Sequence, residues 1–334
     1  MGASSPRARR VSGAITTAAG VLVGIVVLQG EARAFCRTTT DPIPADFTPD
    51  PGTAGGCWVQ GKPLYWTNAC VGYSLQKDAS HQVSVEAASQ ALAAAFAKWT
   101  GTACPTDGKG RSRTSIDVRD LGPVDCSLVQ YNQAQGNQHV IVFRDDSWPH
   151  ADSNNTLALT TVTFNPDTGE IYDADMEINT HDQRVTLSDP VPADGYDFAA
   201  IVTHETGHFL GLAHSADAHA TMYAHYQPGS TAMRNLTSDD VQGICSIYAP
   251  DGTRGSAAGA VPELSCDPTP RHGFSTTCGV PQKKGCVPSA TIGRASVVDT
   301  AVSTSALGVV LSGLLVRRAR RARRTRTLLR SPHR

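Results

Sequence analysis

The sequence predicts an α+β domain built on a mixed sheet. Three observations carry this: an amphipathic helix early in the chain, strand-like segments on both sides of it, and a second long helix after them. Between 85 and 99, Val85, Ala88, Leu92, Phe96 and Trp99 recur at helical spacing, so one face is apolar and is expected to bury against a sheet. Ser84 can cap this helix, and Gly101 can end it. Segment 63–75, with aromatic and β-branched residues, reads as the first strand; 115–119, 139–144, 157–164 and 171–178 read as the later ones. The second long helix is expected from about Tyr196 to Gly211. A last helix is signalled by Thr237 or Ser238 as cap and by Asp239 and Asp240 in its first turn, and is expected to run to Tyr248.

The two ends differ from this middle. Arg7, Arg9 and Arg10 precede an uncharged, mostly apolar run over 11–28 and then Ala32-Arg33-Ala34. That order is a secretory signal with cleavage expected after Ala34, and the run is too short to favour a membrane anchor. Near the other end an uncharged stretch over 300–316 meets Arg317, Arg318, Arg320, Arg321, Arg323 and Arg324. It is marginally long enough to span a bilayer, with a basic cluster that would hold its end in the cytoplasm. The expected organisation is a signal peptide over 1–34, an irregular disulfide-stapled segment over 35–60, and the main folded domain over 61–250. A cysteine-containing linker over 251–299 and a membrane or sorting segment over 300–334 complete it.

The chain has 29 Lys and Arg against 30 Asp and Glu, but the arginines crowd the two ends. Residues 35–316 hold 16 basic and 29 acidic groups, a balance of −13. An acidic body lacks the basic footprint that phosphate binding requires, which excludes nucleic acid as the expected partner. All nine cysteines lie beyond Ala34. In an exported chain they are expected to be disulfides with one left over, and with no Cys-x-x-Cys pair a cysteine-rich zinc module is not expected.

The chemistry concentrates at 204–214, which reads HETGHFLGLAH. On a helix, positions i and i+4 share a face, so His204 and His208 can present two imidazoles to one ion. Gly211 can take a positive φ, end the helix and turn the chain so that His214 reaches the same ion. Three nitrogens and one open position describe a catalytic Zn2+ rather than a closed structural one. Glu205, beside the first ligand and not itself needed as one, is placed to act as general base on water, which points to hydrolysis of a peptide bond.

With these residues the segment resembles the metzincins, and among them the matrixins. Ser215 after the third histidine, the Met-turn-like Thr221-Met222-Tyr223, LTSDDVQGICSIYA at 236–249 and AFAKWTG at 95–101 all carry the resemblance. It implies a metzincin-type catalytic domain: a twisted mixed sheet, a long zinc-binding active-site helix and a small irregular C-terminal subdomain. It also implies a zinc endopeptidase acting on protein or peptide substrates, which would lie extended against an edge strand. Met222 would form an apolar floor under the metal, and Tyr226 would wall a substrate pocket. Where matrixins have Pro-x-Tyr after the Met-turn this chain has Ala224-His225-Tyr226, and the histidines of the second, structural zinc of animal matrixins are missing, so one zinc is expected.

Asp173, Asp175 and Glu177 alternate on a strand, and read either as oxygen ligands for Ca2+ or as a solvated face. His181, His219 and His225 lack metal-ligand spacing and are expected at the surface, with His225 a candidate for the cleft wall. Cys278-Gly279-Val280-Pro281 is similar to the thiol-bearing latency segment of animal matrixins but follows the domain and lacks its flanking residues, so Cys278 is expected to be an ordinary disulfide cysteine. Gly285-Cys286, the uncharged stretch and the arginine cluster together look like the sorting tail of myxobacterial surface proteins. This implies export to the outer membrane or cell surface, sorting machinery as a partner, and anchoring near Cys286 after tail processing. Two readings compete with the enzyme: a catalytically inactive metzincin-like surface adhesion or binding module, and a disulfide-rich structural protein whose zinc only holds the fold.

Overall fold

In the computed structural model the described residues are 34–44, 46–49, 54–279 and 293–300. In chain order they form β1 (Cys36–Arg37), β2 (Asn68–Leu75), α1 (Val85–Thr100), β3 (Asp117–Asp120), β4 (Val140–Phe143), β5 (Thr156–Phe164) and β6 (Ile171–Ile178). Then come β7 (Val185–Thr186), β8 (Tyr196–Asp197), α2 (Phe198–Phe209), β9 (Leu212–Ala213), α3 (Ser238–Ile247), β10 (Thr253–Ser256), β11 (Gly259–Pro262), β12 (Leu264–Cys266) and β13 (Gly293–Thr300).

The main sheet runs β12-β2-β4-β6-β5-β13, with β3 also on β2. β12, β3 and β4 pair parallel to β2, and β6 pairs parallel to β4, whereas β5 runs antiparallel to its two neighbours, β6 and β13. The mixed α+β sheet is therefore as expected. Val140, Ile141, Val142 and Phe143 of β4 are all buried, the continuous apolar run that a strand covered on both faces requires.

α1 starts where Ser84 accepts the amide of Ala87. Its apolar stripe packs as its periodicity predicts: Leu92, Phe96 and Trp99 are buried. The Phe96 ring lies 4.7 Å from Tyr73 of β2 and 5.1 Å from Phe209 of α2. Each such side chain contributes about 1.5–3 kcal/mol through the apolar area removed from water. The Trp99 indole donates to the Thr203 carbonyl at 2.8 Å, so α1 fixes α2 by a directed bond as well as by packing.

Eight cysteines form four bridges, Cys36–Cys57, Cys70–Cys266, Cys104–Cys245 and Cys126–Cys278. Cys278 is thus in a disulfide, as expected, and Cys286 lies outside the described residues. The linker expected over 251–299 needs correcting in its described part. β12 joins the main sheet beside β2, and β10 and β11 form a hairpin whose Arg254 is wholly buried. Arg254 donates to the carbonyls of Trp66, Asn68 and Ser115 and meets Glu263 at 3.2 Å. A buried guanidinium with that many acceptors is a staple, and composition alone does not reveal it. Among the described residues no helix is long and apolar enough to cross a membrane, and the apolar stretches 11–28 and 301–316 lie outside them.

His139, just before β4, is wholly buried with its Nδ1 donating to the Gly72 carbonyl at 2.8 Å and its Nε2 facing Asp173 at 3.7 Å. Burial pushes its imidazole down to about 4. The unfolded chain takes that proton near pH 6.5, so the contribution of His139 is complete above that pH and is lost as pH falls towards 4, roughly 3 kcal/mol in all. His139→Asn, a residue that tolerates the positive φ of 47° at this position, is expected to flatten the decline in urea-unfolding free energy between pH 6.5 and 4. Parallel pH profiles for the two proteins would rule this out.

Candidate metal centre

α2 begins at Asp197, whose carboxylate accepts the amide of Ala200 and is held in turn by Arg234 through two bonds of 2.6 and 3.0 Å. The helix carries His204, Glu205 and His208, all buried. It ends where Gly211 adopts φ +98°, a position at which a Cβ would sit 2.9 Å from the Leu64 carbonyl oxygen. Glycine is therefore required twice over, for the backbone angle and for the close approach. The last carbonyls of the helix find partners: Trp66 donates to Phe209 and Tyr248 to Leu210, each at 2.8 Å.

The turn brings His214 to the other two. Ligand atoms of His204, His208 and His214 lie within 4.8 Å of one another, the one cluster of metal-ligating side chains among the described residues. Each of the two helical histidines is oriented by a backbone acceptor, Nδ1 of His204 on Thr221 O at 2.6 Å and Nδ1 of His208 on Leu212 O at 2.8 Å. A carbonyl only accepts, so both Nδ1 atoms carry the proton and both Nε2 lone pairs remain available. Those Nε2 atoms approach to 3.0 Å, and the buried Nε2 of His214 has no hydrogen-bond partner. Burial together with the neighbouring histidines pushes His208 far below the usual imidazole value, and burial takes His214 to about 3. Zinc takes imidazole nitrogens as ligands, and the three converging here make a donor set that fits the metal.

Glu205 is buried, and its Oε2 accepts the hydroxyl of Thr160 from β5. Sequence reasoning missed Thr160, because nothing local in β5 announces its partner. Met222 is buried against Gly207, the residue before His208; a Cβ there would overlap Met222 Sδ and lie 2.9 Å from Trp99. Gly207→Ala is therefore expected to lower stability by about 1–3 kcal/mol through overpacking, seen as a lower denaturant midpoint.

Asp240 is more than the first-turn charge that its position in the sequence suggests. It accepts the amides of Thr221 (2.8 Å), Met222 (3.0 Å) and Thr237 (2.7 Å), so it pins the Met222 turn to α3. Asp239 does the same for the chain after His214. It accepts Ser215 Oγ at 2.7 Å and the Ala34 amide at 3.1 Å, and burial raises its pKa.

Tyr226 is buried, with its hydroxyl donating to the Ser230 carbonyl, and helps line a cleft of about 500 Å³ with Tyr223, His225 and Met233. His219 also borders that cleft, whereas His181 is exposed and pairs with Asp182. Asp173, Asp175 and Glu177 are neither a solvated face nor a ligand cluster. All three are buried, Asp175 on the amides of Gln130 and Val140, Glu177 between Arg144 and His150, and Asp173 facing His139. Among the described residues these three carboxylates do not converge on a common point.

Comparison with known proteins agrees with this geometry. The matrixin family model matches residues 65–249. Human matrilysin is 38% identical over 103 residues, 31% of this chain and 35% of its own length. Human neutrophil collagenase is 38% identical over 74 residues, 22% of this chain and 16% of its own. Metalloendoproteinase 1-MMP of Arabidopsis thaliana is 27% identical over 202 residues, 60% of this chain and 48% of its own. The chain thus spans less than half the length of each of these relatives.

Proposed function

The chain belongs to the matrixin family, and from that premise we propose that it is an exported zinc-dependent endopeptidase in which His204, His208 and His214 hold the metal and Glu205 is the general base. One observation carries the proposal: two buried imidazoles and a half-buried third, with two Nδ1 protons tied to carbonyls, bring their ligand atoms within 4.8 Å of one another, and the buried Glu205 follows the first of them on the helix. Zinc bound there supplies the Lewis acidity that brings the pKa of water to about 7 and polarises a peptide carbonyl.

The chain's own residues do the rest. Glu205 takes the proton of the attacking water and returns it to the leaving amine. Thr160 holds the Glu205 carboxylate in place by its hydroxyl. Met222 and Trp99 keep the pocket under the helix dry. Tyr226 and His225 shape the cleft that takes a substrate side chain.

The rival reading, an inactive surface binding module, leaves the buried, hydrogen-bonded Glu205 without a purpose, since burying a carboxylate is costly unless it is used. A digest of a mixed peptide library tests the proposal: cleavage is expected, to be abolished by a chelator and restored by zinc. Persistent cleavage after chelation would overturn it.

Export is part of the same proposal. Cleavage after Ala34 and removal of the tail near Cys286 would leave a chain of 35–286 or a few residues more at the cell surface. Intact mass of the mature protein decides this, and retention of 287–334 would reject the tail processing.

A further inference from the structure

β5 is the strand that holds the candidate catalytic base, through Thr160 and Glu205. One of its edges is taken by β6, and the other is taken by β13. A sheet edge in that position has a row of backbone donors and acceptors ready for an extended chain.

β13 runs antiparallel to β5 in continuous register, from Gly293 opposite Phe164 to Val298 opposite Leu159, with a bulge before Thr300 opposite Thr156. Val297 is the partner of Thr160, so this strand passes the residue that positions Glu205. The segment GRASVVDT contains three β-branched residues and no proline, a composition suited to strand pairing. It is also tethered. Cys278 is bonded to Cys126, and only 279–292 separate it from Gly293. A tether of that length holds a ligand at an effective concentration on the order of millimolar.

We propose that, in the chain that still carries its tail, residues 293–300 are a resident ligand of the outer edge of β5 and exclude an extended peptide substrate from it until the tail is cut away. One edge cannot make two sets of ladder hydrogen bonds, so a peptide must displace β13 before its backbone can pair beside Glu205. The inference deepens the proposed endopeptidase function and rests on it for the identity of the displaced ligand. Peptides of small and β-branched residues, like Ala295-Ser296-Val297-Val298, are the class that best replaces the strand.

The test uses the full chain carrying Ser296→Pro with Val297→Pro. Consecutive amides of an antiparallel strand point to opposite sides, so two adjacent prolines remove the donor facing β5 in either phase. Hydrogen exchange is measured in a Glu205→Ala background, where no cleavage can intervene. The outward amides of β5 are expected to exchange at least about tenfold faster in the double-proline chain, and α1 amides to be unchanged. A synthetic 293–300 peptide in excess is expected to restore the protection.

With Glu205 intact, the double-proline chain is expected to show a KM for peptides roughly tenfold lower than wild type, as the tether arithmetic implies. Ala295→Pro with Ser296→Pro serves if the first pair loosens α1. Equal exchange on β5, or equal KM in the two chains, overturns the proposal. If neither chain cleaves any peptide, the endopeptidase reading falls while the exchange result still decides the occupancy. If both cleave with equal KM, the endopeptidase reading stands without the resident strand.

Discussion

Glu205→Ala is expected to lower kcat/KM for peptide hydrolysis roughly 10³-fold or more while zinc stays bound at one per chain. General acid–base catalysis contributes about 10²–10⁴-fold, and here a single carboxylate serves both directions of proton transfer. The metal should be indifferent to the change. The Nδ1 anchors of His204 and His208 are the Thr221 and Leu212 carbonyls, and Glu205 is no part of either. Folding should tolerate it as well, since a buried carboxylate and its burial cost are removed together and the Thr160 hydroxyl can find another acceptor. Metal analysis and peptide turnover on the same sample check both halves. Zinc lost along with activity would show that Glu205 supports the metal, and activity retained would remove it from the chemistry.

Asp240→Ala should be the most damaging change away from the histidines. It leaves the buried amides of Thr221 and Met222, and the half-buried amide of Thr237, without their acceptor; at about 1–3 kcal/mol for each of the two buried amides, a loss of roughly 2–6 kcal/mol is expected. The effect should reach the metal too. Thr221, whose amide Asp240 holds, gives its carbonyl to His204 Nδ1, so a loosened turn unlocks that ligand's orientation. Loss of an outer-shell partner of this kind typically weakens metal affinity 10–100-fold. Denaturant unfolding and a zinc competition titration measure the two effects. Unfolding free energy within about 1 kcal/mol of wild type would show that water replaces the carboxylate.

The centre was legible because its constraints are local. One helical turn separates His204 from His208, and the Gly211 turn delivers His214, so spacing in sequence is spacing in space. Helix starts were legible for the same reason, since Ser84 caps α1 through an amide three residues on. What the sequence withheld is long-range. Asp239 and Asp240 look like ordinary first-turn acids, and only the folded chain shows them bracing Ser215 and the Met222 turn. The Asp173, Asp175 and Glu177 pattern suggested ions or solvent because alternation reveals a common face and not what covers it. The cover comes from His139, Val140, Arg144 and His150, far off in sequence. Residues 251–279 read as a linker because their contribution is one buried arginine, a short strand and two cysteines, none of which makes a periodic pattern.

Three of the bridges, Cys70–Cys266, Cys104–Cys245 and Cys126–Cys278, close loops of more than 140 residues. On the chain-entropy model each such closure disfavours the unfolded ensemble by about 5 kcal/mol. The scaffold is accordingly expected to stay folded with the metal site empty, unlike a zinc finger, which collapses when stripped. Chelation followed by dialysis against zinc is then expected to empty and refill the same molecules. In metal-poor surroundings it would persist as a dormant shell that takes up metal when supply returns.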